Sequence, residues 1–429
     1  MSPDTANTPD LLPENLISSV TDLKVYFQSK QGMVHSVDGV SFDIVDGEMM
    51  GLVGETGCGK SVTARSFMQL IQTPPGVLAG GKIQFKSQKN CRKCEGAKCD
   101  FCSNTGKQIL DLLSLSENEI RELRGERIAM IFQDPGKALN PGLTIRTQLA
   151  EVFQEHREND VLEKAGLANN LNGINSYLLK KYIRQETNLI SKIVLKFPPF
   201  RGLLKKVDKA INGLVTKALA ETQIPNPNKI MERYPHELSG GMKQRVMIAQ
   251  AIACNPDLLI ADEPTTALDV TVQARVLDLI KDLQKRHKTS VLYISHDLSL
   301  VRRICDKVAV MYAGKIVETG DAETIFNDPK HPYTKGLIKA LPSMTHERGK
   351  LEAIEGMVPD GAQSWAGALS QDISVVMDTE GVYVYQCDPH VMMAMVGVIQ
   401  VGDAVNLDNI KASAADKNLH LCLILKDWT

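Results

Sequence analysis

The chain has 429 residues, 43% of them hydrophobic and 23% charged, which is long enough for two or three domains and excludes a disordered or fibrous polypeptide. A formal net charge of -2 excludes a global basic field, so no nucleic-acid partner is expected and partners must be read from local features. No apolar run reaches the roughly 18 residues of a membrane-spanning helix, and the opening MSPDTANTPDLLPEN lacks the basic start and apolar stretch of a signal peptide. The expected compartment is therefore the reducing cytosol, where the nine cysteines are metal or core candidates before they are disulfides.

Residues 1–20 are polar and Pro-containing and read as a flexible arm. From Leu23 to Phe42 apolar and polar residues roughly alternate, and a second strand-like run, Gly47 to Val53, leads into a glycine-rich turn. The helix after it is predicted from Ser61 to about Ile71, closed by Thr73-Pro74-Pro75-Gly76. Gly54-Glu55-Thr56-Gly57-Cys58-Gly59-Lys60-Ser61 fits G-x-x-x-x-G-K-S in the strand-to-helix context the motif requires. Gly54, Gly57 and Gly59 let backbone N–H groups curl round a phosphate, and the helix N-terminus adds its partial positive charge. Lys60 reaches the outer phosphates, and the Ser61 hydroxyl completes a Mg²⁺ shell. ATP and Mg²⁺ are the implied ligands.

Next comes Cys91-Arg-Lys-Cys94-Glu-Gly-Ala-Lys-Cys99-Asp-Phe-Cys102, within an insertion at 87–107 that follows a strand predicted over Gly81 to Phe85. Two close thiolate pairs suit a tetrahedral site, with Zn²⁺ the default occupant, an Fe–S cluster the runner-up and four unliganded cysteines the alternative. A second insertion, 160–220, is rich in Lys. Leu189, Ile190, Ile193, Val194 and Phe197 recur there at helical spacing, predicting two amphipathic helices separated by Pro198-Pro199. Its basic face either touches anionic lipid at a membrane surface or is simply solvated.

Leu258 to Glu263 is an apolar strand ending in two acids, a costly ending for a buried strand. Asp262 can hold Mg²⁺ through its waters, and Glu263, on the opposite side of the strand, can polarise an attacking water. A helix (Val272 to Lys285) and a strand (Ser290 to Ser295) follow. Strands alternating with helices predict an α/β fold with a parallel sheet covered on both faces.

Between the two sites lies Leu238-Ser239-Gly240-Gly241-Met242-Lys243-Gln244-Arg245, and with it the sequence resembles the ATP-binding subunits of ABC transporters, Met242 replacing the Gln of the usual signature. The resemblance implies a P-loop NTPase of the ABC ATPase type, with a β-subdomain and a helical subdomain, over 21–345. It implies that Ser239 and Gly241 contact the γ-phosphate held by an opposite ATPase subunit, identical or different. Gln133 then occupies the Q-loop and reaches the Mg²⁺ site, Asp269 the D-loop, His296 the switch position, and Phe27 the adenine-stacking position. Glu263, His296, Gln133 and Lys60 form the catalytic set.

The runs Glu263 to Gln273, Asp134 to Pro141 and His331-Pro332-Tyr333-Thr334-Lys335-Gly336-Leu337 are similar to the oligopeptide/dipeptide importer ATPases, nearest the D-type subunit. That implies two transmembrane permease subunits as partners, an extracytoplasmic substrate-binding protein served indirectly, and a peripheral place on the cytoplasmic face of the inner membrane. Nickel and glutathione importers use nearly the same ATPase. A DNA-repair ABC ATPase with a zinc module is opposed by the single nucleotide-binding core, the lack of basic charge and the His331–Leu337 run.

After a linker at 346–375, residues 376–429 resemble part of pseudoazurin, a cupredoxin. Carried over by position, Cys387, His390 and Met395 would be copper ligands. Half a cupredoxin cannot close its sandwich, so no working copper centre is expected.

Overall fold

The computed structural model describes residues 12–30, 32–90, 107–167, 179–183, 198–266, 270–339, 381–386 and 396–401. The chain divides into two compact units, Met1–Lys335 and Gly336–Thr429, with the boundary inside the helix Pro332–Lys339, ten residues before the expected domain end at 345.

In the first unit, β1 (Leu16–Ser29), β2 (Gly32–Val45), β4 (Gly76–Asn90) and β5 (Lys107–Asp111) form an antiparallel sheet of order β2-β1-β4-β5. A strand begins at Leu16 inside the stretch expected as a flexible arm, because Leu12, Leu16, Ile17 and Val20 are all buried and hold the chain on the sheet. β4 outruns the predicted Gly81–Phe85 at both ends, and its last residue, Asn90, pairs with Lys107 at the start of β5. The two ends of the cysteine insertion therefore meet at the tip of a strand pair.

The second sheet has the order β10-β9-β3-β8-β7-β6, built from β3 (Met49–Val53), β6 (Ile128–Ile131), β7 (Leu258–Asp262), β8 (Ser290–Ser295), β9 (Lys307–Tyr312) and β10 (Lys315–Asp321). Five strands are parallel, as expected of alternating strands and helices. β10 alone is antiparallel, since the two-residue turn Ala313–Gly314, both at positive φ, folds it straight back on β9. β3, β7 and β8 are buried along their whole length, the continuous apolar pattern of strands covered on two faces.

The helix Lys60–Phe67 packs Ala64 and Phe67 into the core between the sheets. It ends four residues before the predicted Ile71. Gln69 turns to positive φ, and its side-chain amide donates to the carbonyls of Leu112 and Leu115, which stops the helix.

A helical lobe has a core of its own, with Ile145, Leu149 and Phe153 of helix Ile145–His156, Val161 and Leu162 of Glu158–Lys164, Val207, Ile211, Val215 and Leu219 of Pro198–Glu221, and Val246 and Ala249 of Gly240–Ile252. Pro198-Pro199, expected as a break between helices, opens the helix Pro198–Glu221, since proline is tolerated in a first turn whose N–H groups have no helical partner. Leu189, Ile190, Ile193, Val194 and Phe197 lie outside the described residues. No helix among the described residues is long and apolar enough to cross a membrane. In the second unit, β11 (Gly381–Gln386) and β12 (Val396–Val401) form an antiparallel pair.

Candidate functional site

The phosphate loop sits where β3 meets the helix Lys60–Phe67, at the C-terminal end of a central strand of an α/β sheet, the general position for ligands in such folds. Its glycines are there for two separate reasons. Gly54, Gly57 and Gly59 all have positive φ, at 150°, 85° and 106°. Gly54 and Gly59 also have no room, since a Cβ would stand 2.1 Å from the Met311 carbonyl oxygen at the first and 2.2 Å from that of Ser36 at the second. The loop is thus pressed between β2 and β9. Lys60 is buried, and its ammonium donates to the carbonyls of Gly54 (2.8 Å) and Glu55 (2.7 Å), folding back over the loop it follows.

Parallel pairing of β3, β8, β7 and β6 brings the ends of four strands to one line. At the end of β7, Asp262 is 2% exposed and accepts from the Ser61 hydroxyl at 2.9 Å. Burial raises its carboxyl pKa, the Ser61 bond opposes that, and repulsion from Glu263 adds to it. A desolvated carboxylate next to a hydroxyl is a hard oxygen donor set, which suits Mg²⁺.

Glu263 leaves the strand at φ 47°, a left-handed conformation uncommon for a residue with a side chain and a mark of local strain. Among the described residues its carboxylate has three partners from three elements. Gln133, past the end of β6, donates at 2.8 Å; Thr266 donates at 3.0 Å; and His296 Nδ1, past the end of β8, lies at 3.1 Å. Glu263, Thr266, His296 and Asp297 line a cleft of about 270 Å³. Burial pushes the Glu263 pKa up, but the bond and charge of His296, with the Thr266 bond and the Lys60 charge, together hold the carboxyl below its usual range. The same bond to Glu263 raises the His296 pKa. A carboxylate fixed on three sides and ionised at neutral pH can orient a water molecule and take its proton.

The pair has a defined pH window. Its contribution to stability is lost as pH falls through the depressed Glu263 pKa, and lost again as pH rises through the raised His296 pKa. The gap in thermal midpoint between the wild type and His296→Gln should therefore be widest between these two titrations and shrink on both sides. A gap independent of pH would mean that the pair carries no charge coupling.

Ser239 N-caps the helix Gly240–Ile252, accepting from the Met242 N–H at 3.4 Å, and is exposed. No hydrogen bond joins it to residues 54–61 among the described residues. Gly241 faces Val272, whose Cγ1 would be 2.9 Å from an added Cβ. Phe27, on β1, is half-buried against the core beside Gly76. Its neighbour Tyr26 stacks on His35 at 4.0 Å and donates to Asp38. Asp269 lies outside the described residues, as do Cys91, Cys94, Cys99 and Cys102 and the tail residues Cys387, His390 and Met395. Among the described residues no cluster of His, Cys, Asp and Glu could hold a metal ion. Thr266 was not a sequence candidate. It stands in the quoted run Glu263 to Gln273, but its hydroxyl bond to Glu263 has no local signal.

The profile of the ABC transporter family matches residues 37–266, and that of the oligopeptide/dipeptide transporter C-terminal region matches residues 317–367. The chain is 39% identical over 344 residues to the dipeptide transport ATP-binding protein DppD of Bacillus subtilis (strain 168), covering 80% of this chain and 82% of that protein. It is 40% identical over 342 residues to the oligopeptide transport ATP-binding protein OppD of the same organism, covering 80% and 76%. With DppD of Escherichia coli (strain K12) the identity is 38% over 341 residues, covering 80% and 83%. The first match contains the phosphate loop, Gln133, the Ser239 segment and Asp262-Glu263, and the chain belongs to the ATP-binding subunits of the ABC transporter family, in its oligopeptide/dipeptide group, as an ATPase of the ABC cassette fold.

Proposed function

We propose that this chain powers peptide uptake through two separate transmembrane permease subunits, working with a second ATPase subunit on the cytoplasmic face of the membrane and served by an extracytoplasmic binding protein. The observation that carries the reading is the Glu263 carboxylate held by Gln133, Thr266 and His296 next to the Ser61–Asp262 pair. In this reading the N–H groups of Gly57 to Ser61 cradle the phosphates and Lys60 moves from the loop carbonyls to the outer phosphates. Ser61 and Asp262, together with Gln133, would hold Mg²⁺, which would supply charge neutralisation at the outer phosphates. Glu263 orients the attacking water and takes its proton, while Gln133 and His296 keep its carboxylate aimed. Phe27 stacks on the adenine, and Ser239, Gly241 and Asp269 serve the partner subunit's nucleotide, in keeping with an exposed Ser239 that, among the described residues, has no bond to its own chain's phosphate loop.

Peptide as cargo is supported by the C-terminal region match and by the relatives' names. The test is reconstitution in liposomes with the permeases and binding protein, where labelled di- and oligopeptides should accumulate only with ATP. ATP hydrolysis driving uptake of nickel and not of peptides would sink the peptide reading. Cys91, Cys94, Cys99 and Cys102 are proposed on their spacing to hold Zn²⁺ or an Fe–S cluster. Metal analysis of the purified chain decides between about one zinc, visible iron–sulfur absorbance, or neither. The cupredoxin likeness of 376–429 rests on residue order alone, with no working copper centre proposed.

A further inference from the structure

The backbone N–H of Glu55, second residue of the phosphate loop, donates to the hydroxyl of Tyr333 at 3.2 Å, across 278 positions of chain. The tyrosine is anchored for this contact. Glu318 on β10 accepts the N–H groups of Lys330 (2.7 Å) and His331 (3.1 Å), which fixes the turn before the helix Pro332–Lys339. His331 Nδ1 then accepts the N–H of Tyr333 at 3.1 Å, capping that helix with a side chain, and Thr334 beside it is fully buried. The Tyr333 ring lies 4.4 Å from that of Tyr312, the last residue of β9, at 45°.

The bond meets the loop at a sensitive place. The Glu55 N–H and the Gly54 carbonyl belong to one planar peptide unit, and that carbonyl accepts from Lys60 at 2.8 Å. Tyr333 holds one end of the plane and Lys60 the other. A second strut comes from the same side, where the Gly314 N–H donates to the Cys58 carbonyl at 3.0 Å. Glu55, Thr56 and Gly57 are otherwise the exposed part of the loop. Without the phenol oxygen, the peptide plane at its entrance keeps only the Lys60 bond and loses its hold on the N–H end.

We propose that Tyr333 is a positioning residue of the ATP site, whose hydroxyl sets the Gly54–Glu55 peptide and so makes nucleotide affinity depend on the segment that follows β10. This rests on the reading of Gly54 to Ser61 as the ATP phosphate site. The segment would then report its own docking to the loop, since any movement that withdraws Tyr333 loosens the grip on nucleotide without touching Glu263.

Tyr333→Phe in the full chain is the test, because it keeps the ring on Tyr312 and removes only the acceptor. ATP affinity is read with a fluorescent ATP analogue, turnover by phosphate release, and the loop by amide exchange over residues 54–60. The expected result is a KM for ATP raised about 3- to 10-fold, the range for one lost hydrogen bond, with kcat unchanged. Exchange at Glu55 should quicken while the thermal midpoint stays in place. Unchanged KM and exchange would overturn the proposal, as would a fall in kcat and thermal midpoint at constant KM, which is the mark of a merely structural tyrosine. If the wild-type chain itself bound no ATP, the phosphate-site reading would fail and this proposal with it, an outcome distinct from a silent Tyr333→Phe.

Discussion

Glu263→Gln should lower ATP turnover by about 10²- to 10³-fold, within the range contributed by a positioned general base, while leaving the chain folded and able to bind nucleotide. The substitution is isosteric, and the three described partners limit how the new amide can sit. Gln133 and Thr266 both donate to the same carboxylate oxygen, so the amide oxygen must take that place. The amide nitrogen then faces His296 Nδ1, which has to accept and therefore be neutral. The raised His296 pKa should fall back toward its ordinary value, a change visible by NMR and independent of activity. Nucleotide-bound dimers should accumulate, because the contacts to phosphate are untouched. Turnover at more than half the wild-type rate would remove Glu263 from its proposed role.

Gly59→Ala is expected to abolish nucleotide binding. At φ 106° an alanine is strained, at a cost of about 1–3 kcal/mol. Its Cβ would also stand 2.2 Å from the Ser36 carbonyl oxygen and 2.7 Å from Met311 Cε, and the first of these is backbone that cannot rotate away. The loop must shift, and Lys60, the next residue, shifts with it. Gly57→Ala is the informative comparison. Gly57 has φ 85° but nothing within 4 Å of an added Cβ, so this variant carries the strain without the clash. Nucleotide titration and denaturant midpoints of the two proteins separate the effects. Equal behaviour of the two would show that conformation, and not the close approach of β2, dictates glycine at 59.

The parts of the site that were legible in advance are those whose geometry is local. Within Gly54 to Ser61 the required positive φ angles, the start of the helix and the lysine all fall in eight consecutive residues, and the apolar run ending in Asp262-Glu263 declares a buried strand with acids at its tip. Element ends depart from the local pattern, because distant residues decide them. The helix after the loop stops early because Gln69 finds the carbonyls of Leu112 and Leu115. The arm becomes a strand because β2 and β4 lie beside it and bury Leu16, Ile17 and Val20.

By itself, then, the sequence determined the inventory of the candidate site that the fold draws together, namely its loop glycines, its lysine and its paired acids. It also determined the α/β alternation, because these are written in short-range pattern. Only the tertiary structure decided how the inventory is wired. Gln133 and His296 converge on one carboxylate because parallel pairing aligns the ends of β6, β7 and β8, and Tyr333 reaches the phosphate loop because the turn anchored by Glu318 carries it there. Contacts separated by 130, 33 and 278 positions leave no periodicity in the chain, and their partners are chosen by packing alone.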